Sequence, residues 1–333
     1  MLSVTAPDGV PEVRRGDDLA DLVLPLVALE AGDVLVVTSK VVSKAEGRVV
    51  PGTRDDALAG ETVRVVARRG PTTIVRTRHG LTMAAAGIDA SNVEAGHVVL
   101  LPEDPDASAR RLRTAVLERT GVNVGVVVTD TAGRAWREGQ TDIAVGAAGL
   151  TPLETYAGRT DAHGNELLVT APAVADEIAG AAELAQGKLG GRPFAVVRGR
   201  GDLVLPPGDH GPGARALVRA EGADLFGLGA REAVVRAVAG ALSGDPAHRV
   251  PFGSPATPKD LAGAIGAALP HLAAGLEVDA DAGEVAASGV LPGDATGLHA
   301  VAFAHGWEAT RARGHTGRDT HDPARVGFRP ATP

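Results

Sequence analysis

Lysine is scarce in this chain, and two of its four lysines stand four residues apart in Thr38-Ser39-Lys40-Val41-Val42-Ser43-Lys44. The chain carries 29 arginines, a bias that GC-rich coding sequences produce at surfaces. Two retained ammonium groups beside hydroxyls suit an anionic, phosphate-bearing ligand. Two carboxylate-bearing segments stand out with them. In Ala86-Gly87-Ile88-Asp89-Ala90-Ser91-Asn92-Val93, Gly, Asp, Ser and Asn are turn residues. The same residues could offer Asp89 as a hard oxygen ligand and Asn92 as a hydrogen-bonder to a base or ribose. In Thr129-Asp130-Thr131-Ala132-Gly133-Arg134, an apolar strand running into Asp-Thr presents a carboxylate and a hydroxyl at a sheet edge. That pair suits Mg²⁺ and phosphate, or a plain turn at a strand end. Trp136-Arg137-Glu138-Gly139-Gln140-Thr141-Asp142 packs an aromatic, a cation and two acids together, as a substrate wall or as a polar surface. Gln186-Gly187-Lys188-Leu189-Gly190-Gly191-Arg192-Pro193 is rich in glycine. Its amides could wrap phosphates, or it could be a helix cap followed by a turn. It is no Walker A loop, because six residues and not four separate Gly180 from Gly187, and Leu189 stands in place of Ser or Thr. No G-x-G-x-x-G or G-x-S-x-G occurs, which leaves dinucleotide-fold and serine-hydrolase chemistry without an anchor.

These residues need elements to hold them. Spacing predicts a helix over 17–29, with Leu19, Leu22, Val23 and Leu26 on one face, and a buried strand over 34–37. Residues 39–46 read as a strand exit into a short helix. Further strands are expected at 73–77, 81–85 and 97–101, with an alternating stretch at 63–66. An amphipathic helix over 106–120 sets Leu112, Val116 and Leu117 against arginines and acids, and Gly121 ends it. A second buried strand over 124–128 leads into Asp130, and 141–150 reads as another. A helix is expected over 174–186, a strand over 194–197, and mostly helix over 215–241. The composition shifts near Ser243-Gly244-Asp245-Pro246. Beyond it the expectation is one helix over 259–276, up to two strands, and a disordered polar tail from about 311.

Composition narrows the function classes. The chain has 333 residues, enough for two domains or for one domain and an extension, and its charge is −8 from 33 basic and 41 acidic residues. That balance argues against a nucleic-acid surface. Cysteine is absent, which excludes disulfides, Fe–S clusters and a thiolate nucleophile. No 18-residue apolar run marks a membrane span, and the first residues lack the apolar segment of a signal peptide, so the cytoplasm is the expected compartment. Five of the ten histidines lie from His271 onward at spacings that fit no metal motif. The residues by themselves point to a mixed α/β enzyme with an aspartate-based divalent-metal site and a phosphate-bearing ligand held by Lys40 and Lys44.

Four blocks together resemble the coenzyme F420-0:L-glutamate ligase family, its bacterial branch most of all. They are Thr38 through Arg48, Ala86 through Val93, Val128 through Arg137 with Gly139-Gln140-Thr141-Asp142, and Ala157-Gly158-Arg159 with His163-Gly164-Asn165-Glu166-Leu167. The resemblance covers about residues 1–240. It implies a two-part α+β fold, an intertwined homodimer, and a GTP-dependent ligase with F420-0 and L-glutamate as substrates. Such an enzyme would form an amide through an acyl phosphate, add further γ-linked glutamates, and release GDP and phosphate. Mg²⁺ or Mn²⁺, with K⁺, are the implied ions. Carried onto this sequence, Val10, Pro11, Glu12 and Val13 line the guanine nucleotide, and Ser39, Lys40 and Lys44 contact its phosphates. Asn92 and the loop Gln186, Gly187, Lys188, Leu189, Gly190, Gly191, Arg192 and Pro193 complete the GTP site. Asp89 and Asp130 become metal carboxylates and Thr131 a second-metal ligand, with Asp89, Asp130 and Lys44 as catalytic residues and Trp136 and Arg137 toward substrate. Two positions depart from the pattern: Lys188 stands where archaeal relatives carry an acidic metal ligand, and Ala85 where relatives carry Asn. The resemblance implies a ligase domain over 1–243 and leaves 244–333 without a role. The rival readings are a non-catalytic deazaflavin- or nucleotide-binding protein and an F420-dependent oxidoreductase.

Overall fold

The structure is a computed structural model in which residues 1–311 and 324–331 are described. The chain divides into two compact units, residues 1–218 and 219–333. The first unit contains, in order, β1 (Ser3–Thr5), α1 (Leu19–Val23), β2 (Val34–Thr38), α2 (Ser39–Ala45), β3 (Val49–Pro51), α3 (Arg54–Glu61), β4 (Thr62–Arg69), β5 (Thr72–Thr77), β6 (Thr82–Ala84), β7 (His97–Val99), α4 (Pro105–Thr120), β8 (Gly125–Gly133), β9 (Gln140–Ala148), α5 (Val174–Gln186) and β10 (Phe194–Arg198). This is a mixed α/β architecture.

Its centre is a five-stranded sheet in the order β1-β10-β2-β8-β9, in which only β2 and β8 pair in parallel. Both faces are covered, which is why the strand sequences are continuously apolar instead of alternating. Leu35, Val37, Val126 and Val128 face one core with Ala20, Val23, Leu112 and Val116. Val34, Val36 and Val127 face the other, with Ile178 and Ala182 of α5. Two smaller sheets, β3-β7 and β4-β5-β6, flank a satellite core of Val75, Ala86, Ile88, Val98 and Leu100.

Several sequence expectations needed revision. The helix expected over 17–29 keeps only α1 and a 3₁₀ turn, Leu24–Leu26, because Pro25 lacks the amide a continuing helix needs. In α4, Arg113 lies on the buried side, not among the solvated arginines. β8 does not end at Asp130 but runs on to Gly133, so Asp130 and Thr131 are strand residues paired with Ile143 and Asp142. The region 215–241 is a 3₁₀ turn, Ala214–Leu217, then irregular chain, then a helix α6 (Ala230–Ser243). Gly222, Gly227 and Gly229 interrupt the helical run.

The second unit is more than the extension that the composition implied, and it starts before α6, not after it. It holds α6, α7 (Pro258–Ala268), β11 (Leu276–Asp279), β12 (Glu284–Val290), α8 (Ala295–Ala304), β13 (Trp307–Arg311) and β14 (Ala324–Pro330). The strands form one antiparallel sheet in the order β11-β12-β14-β13. Leu261, Ile265, Leu298, Ala302, Trp307 and Phe328 build its core. The helix expected to reach 276 stops at Ala268, ahead of Pro270. Part of the tail expected to be disordered is the interior strand β14, where Val326 and Phe328 turn inward. The rest of that expectation, 312–323 and 332–333, lies outside the described residues.

Candidate active site

Strand register assembles the first pair of site residues. β2 and β8 run side by side from Val34↔Gly125 to Thr38↔Thr129. One residue further, β2 has turned into α2 while β8 continues, and Ser39 meets Asp130: its Oγ donates to Asp130 Oδ1 at 2.9 Å. The register shifts between Val128 and Thr129, where Val145 of the facing strand β9 is the extra residue of a bulge, a feature common beside functional sites. Burial pushes the Asp130 carboxyl up to about 7, and the nearby Asp142 and Asp89 charges add to the rise while the Ser39 hydroxyl opposes it.

Asp89 comes from a different element. Its backbone is pinned to Val99 in both directions, N–H to O at 3.0 Å and the reverse at 2.8 Å. The chain reaches it through three consecutive left-handed residues, Ala85, Ala86 and Gly87. A Cβ on Gly87 would sit 2.9 Å from Leu101 Cγ, so this turn needs glycine there for space as well as for conformation. The Ser91 amide donates to Asp89 Oδ1 at 2.7 Å, which closes a turn. Lys40 Nζ lies 2.5 Å from Asp89 Oδ2 and donates to Ser91 Oγ at 2.7 Å. The turn reading of this segment therefore holds, with the Asp89 carboxylate closing the turn and pairing with Lys40. Burial alone would raise the Asp89 carboxyl, but Lys40 and Ser91 outweigh it and hold it below the usual carboxylate range. Asn92 follows, exposed and at φ 55°.

Lys44 is buried and donates to Glu12 Oε1 at 2.5 Å, while Glu12 itself is largely exposed. This pair ties the segment Val10, Pro11, Glu12 and Val13 to α2, with Val13 buried as its anchor. Lys40 and Lys44 thus both carry carboxylate partners.

On the other side of Asp130, Thr131 Oγ1 donates to Asp142 Oδ1 at 2.7 Å, and Thr129 Oγ1 donates to Asp142 Oδ2 at 3.0 Å. Lys188 Nζ donates to Thr131 Oγ1 at 2.7 Å and lies 3.4 Å from Glu183 Oε1. The loop after α5 thereby folds back toward β8. Pro193 O accepts from the Thr38 amide at 3.0 Å, and Arg192 pairs with Asp8. Gln186 is buried, and its Nε2 finds no acceptor. Gly187, Leu189, Gly190 and Gly191 are exposed. Trp136 and Arg137 occupy the exposed turn between β8 and β9, with Trp136 85 % exposed.

The structure thus brings Ser39, Lys40, Asp89, Asp130, Thr131 and Lys188 into one chain of contacts. It adds four residues to which the sequence assigned no role: Ser91, Thr129, Asp142 and Glu183. Asp142 was within reach of sequence reasoning, because a hairpin centred on the turn 134–139 sets it opposite Thr131. Among the described residues no three His, Asp or Glu side chains already group as a metal cage. The donors nevertheless fit a hard divalent ion. Asp130 is a partly buried carboxylate flanked by two further acids and answered by a neutral hydroxyl and a backbone amide, with no cation paired to it among the described residues, and Mg²⁺ takes one or two carboxylates with phosphate oxygens and water.

The sequence matches the profile of the F420-0:Gamma-glutamyl ligase family over residues 9–56 and 55–199. It is 44 % identical over 212 residues to the coenzyme F420:L-glutamate ligase of Archaeoglobus fulgidus, spanning 58 % of this chain and 85 % of that protein. Identity to the enzyme of the same name from Methanopyrus kandleri is 41 % over 237 residues, 65 % of this chain and 93 % of the relative. With the Haloarcula marismortui protein of that name it is 38 % over 257 residues, 69 % and 98 % respectively.

Proposed function

The chain belongs to the F420-0:gamma-glutamyl ligase family, and from that premise we propose that it is a GTP-dependent ligase. It joins L-glutamate to coenzyme F420-0 through an amide bond and extends the product by γ-linkages. The observation that carries this reading is the pairing of Ser39 with Asp130 and of Lys40 with Asp89 around the end of the parallel β2–β8 pair. Acidic and cationic side chains meet there beside a loop rich in backbone amides.

The chemistry runs in two steps. A carboxylate oxygen of F420-0 attacks the γ-phosphorus of GTP; that P–O bond forms as the bond to the leaving GDP breaks. The glutamate amine then attacks the acyl carbon, phosphate departs, and the amine proton is released. Little covalent help is asked of the protein, so its contribution is position and charge. Lys40 and Lys44 exchange Asp89 and Glu12 for phosphate oxygens when nucleotide binds. Val10 to Val13, Asn92 and Gln186 to Pro193 hold the nucleotide, and Gln186 brings a buried amide donor that has no acceptor among the described residues. Asp89, Asp130 and Thr131 would hold Mg²⁺ or Mn²⁺, which supplies charge neutralisation on the transferred phosphoryl group. K⁺ is the further ion of the proposed reaction, and a homodimer its proposed assembly.

Mass spectrometry of F420-0 incubated with the protein, GTP, glutamate, K⁺ and Mg²⁺ or Mn²⁺ tests this. The expected products are F420 species heavier by one or more glutamyl residues, with equivalent GDP. Unchanged F420-0 from a folded protein would sink the proposal.

A further inference from the structure

Asp142 is 5 % exposed, and no cation pairs with it among the described residues. A buried carboxylate without a counter-charge is costly, and a well-packed apolar side chain at a strand position is commonly as stable or more so. Its contacts show what it does instead. Both carboxylate oxygens accept from hydroxyls, Oδ1 from Thr131 at 2.7 Å and Oδ2 from Thr129 at 3.0 Å. The register Thr131↔Asp142 sets the first pair directly across the hairpin, and Thr129, two residues before Thr131 on the same face of β8, reaches the same group as its diagonal neighbour. The Asp142 amide donates to Glu183 Oε2 at 3.0 Å, which fastens this strand position to α5, the helix that leads into the loop 187–193.

A threonine hydroxyl has one proton and two lone pairs, and an ionised carboxylate only accepts. The Thr131 proton therefore lies on the line to Asp142, and Oγ1 has only lone pairs left to offer elsewhere. A cation already uses one of them: Lys188 Nζ approaches that same oxygen at 2.7 Å. We propose that Asp142 is a positioning residue of the site, which commits the Thr131 proton and so makes Thr131 Oγ1 an acceptor-only ligand for a cation. This rests on the proposed function for the identity of that cation, a divalent metal ion bound with Asp130.

The test is Mn²⁺ binding to the full-length chain, followed by electron paramagnetic resonance with and without GTP, beside thermal unfolding of each variant. Thr131→Val is expected to weaken Mn²⁺ binding by about tenfold or more, and Asp142→Asn by a similar factor, the range typical of groups behind a metal ligand. The double variant should bind no more weakly than either single one, since Asp142 acts through Thr131. Thr131→Ser, which keeps the proton and its acceptor, should bind far more tightly than Thr131→Val. If Asp142→Asn does not fold, Asp142→Ser carries the same comparison. The inference is overturned if loss of the Asp142 charge leaves Mn²⁺ binding unchanged, if the two losses multiply in the double variant, or if Thr131→Ser loses as much as Thr131→Val. An unsubstituted chain that binds no Mn²⁺ in either condition overturns the metal part of the proposed function, and this inference with it. A chain that ligates and binds Mn²⁺ but is indifferent to Asp142→Asn overturns this inference alone.

Discussion

Asp130 carries opposing demands that one substitution separates. With its carboxyl raised to about 7 in the folded chain, the ionised form is disfavoured relative to the unfolded chain. The sign follows from linkage: there is no penalty below about pH 4, the ordinary carboxyl value, stability falls as pH rises toward 7, and the full penalty holds above it. Asp130→Asn removes that penalty. In metal-free protein at pH 8 it should raise stability by roughly 1–3 kcal/mol, read by urea titration, while glutamate ligation is lost. A variant that is destabilised at pH 8, or that still ligates at limiting metal, contradicts this assignment. Lys44 separates differently. Lys44→Met keeps the buried stem and removes the charge, and Glu12, 70 % exposed, is left to water. GTP affinity should fall about tenfold to a hundredfold, the 1.5–3 kcal/mol of a charge-assisted contact, with a small change in folding. Unchanged nucleotide affinity by calorimetry would make Lys44 a tether for Glu12 and nothing more.

Elements hold these groups at fixed separations, and α4 shows how strongly. Arg113 points from α4 into the first unit and donates to the carbonyls of Val124, Leu205 and Pro206 and to Asn123 Oδ1, as well as to Asp209 O. No carboxylate is among these partners. One guanidinium thus satisfies the segment 205–209 and the entry to β8. Arg113→Met leaves the buried Val124 carbonyl and the partly covered carbonyls around 205–209 short of a donor, and we expect destabilisation of about 3 kcal/mol, as when one member of a buried polar network is removed. Thermal unfolding measures it; a Tm shift of only one or two degrees would show that water replaces the guanidinium. The same logic governs the turn 85–87. Its left-handed backbone is held by Leu101 and the satellite core, and this fixes where Asp89 emerges.

At the scale of the whole chain, the division at Val218/Arg219 changes where the chain should be cut. α6 belongs with the second unit, where a Cβ on Gly240 would run into the Phe303 ring 2.2 Å away. A chain ending at Ser243 would keep α6 and remove the α8 residues packed on it. A chain ending at Val218 should therefore be the more soluble of the two by size-exclusion chromatography. It should ligate glutamate within about tenfold of full length, roughly 1.4 kcal/mol of barrier. If the 218-residue chain is folded and slower than that, the second unit contributes to the reaction. Among the described residues no helix is long and apolar enough to cross a membrane.

The runs Val34 to Val37 and Val124 to Val128, the helix over 174–186 and the lysine pair were legible because each is a local pattern: an apolar run, a 3.6-residue period, a rare residue type. Asp89 and Asp130 stood out in the same way, as carboxylates in turn-like or strand-end segments. What sequence did not reveal is who stands beside whom. Ser39 answers Asp130 only because a parallel register carries α2 alongside β8, and Asp142 orients Thr131 only because a hairpin folds two strands together. The buried side of Arg113 and the interior place of β14 depend likewise on partners distant in sequence. Periodicity reports which face of an element is apolar; the pairing of faces and the fate of each polar group are settled only when the distant partners are packed against them.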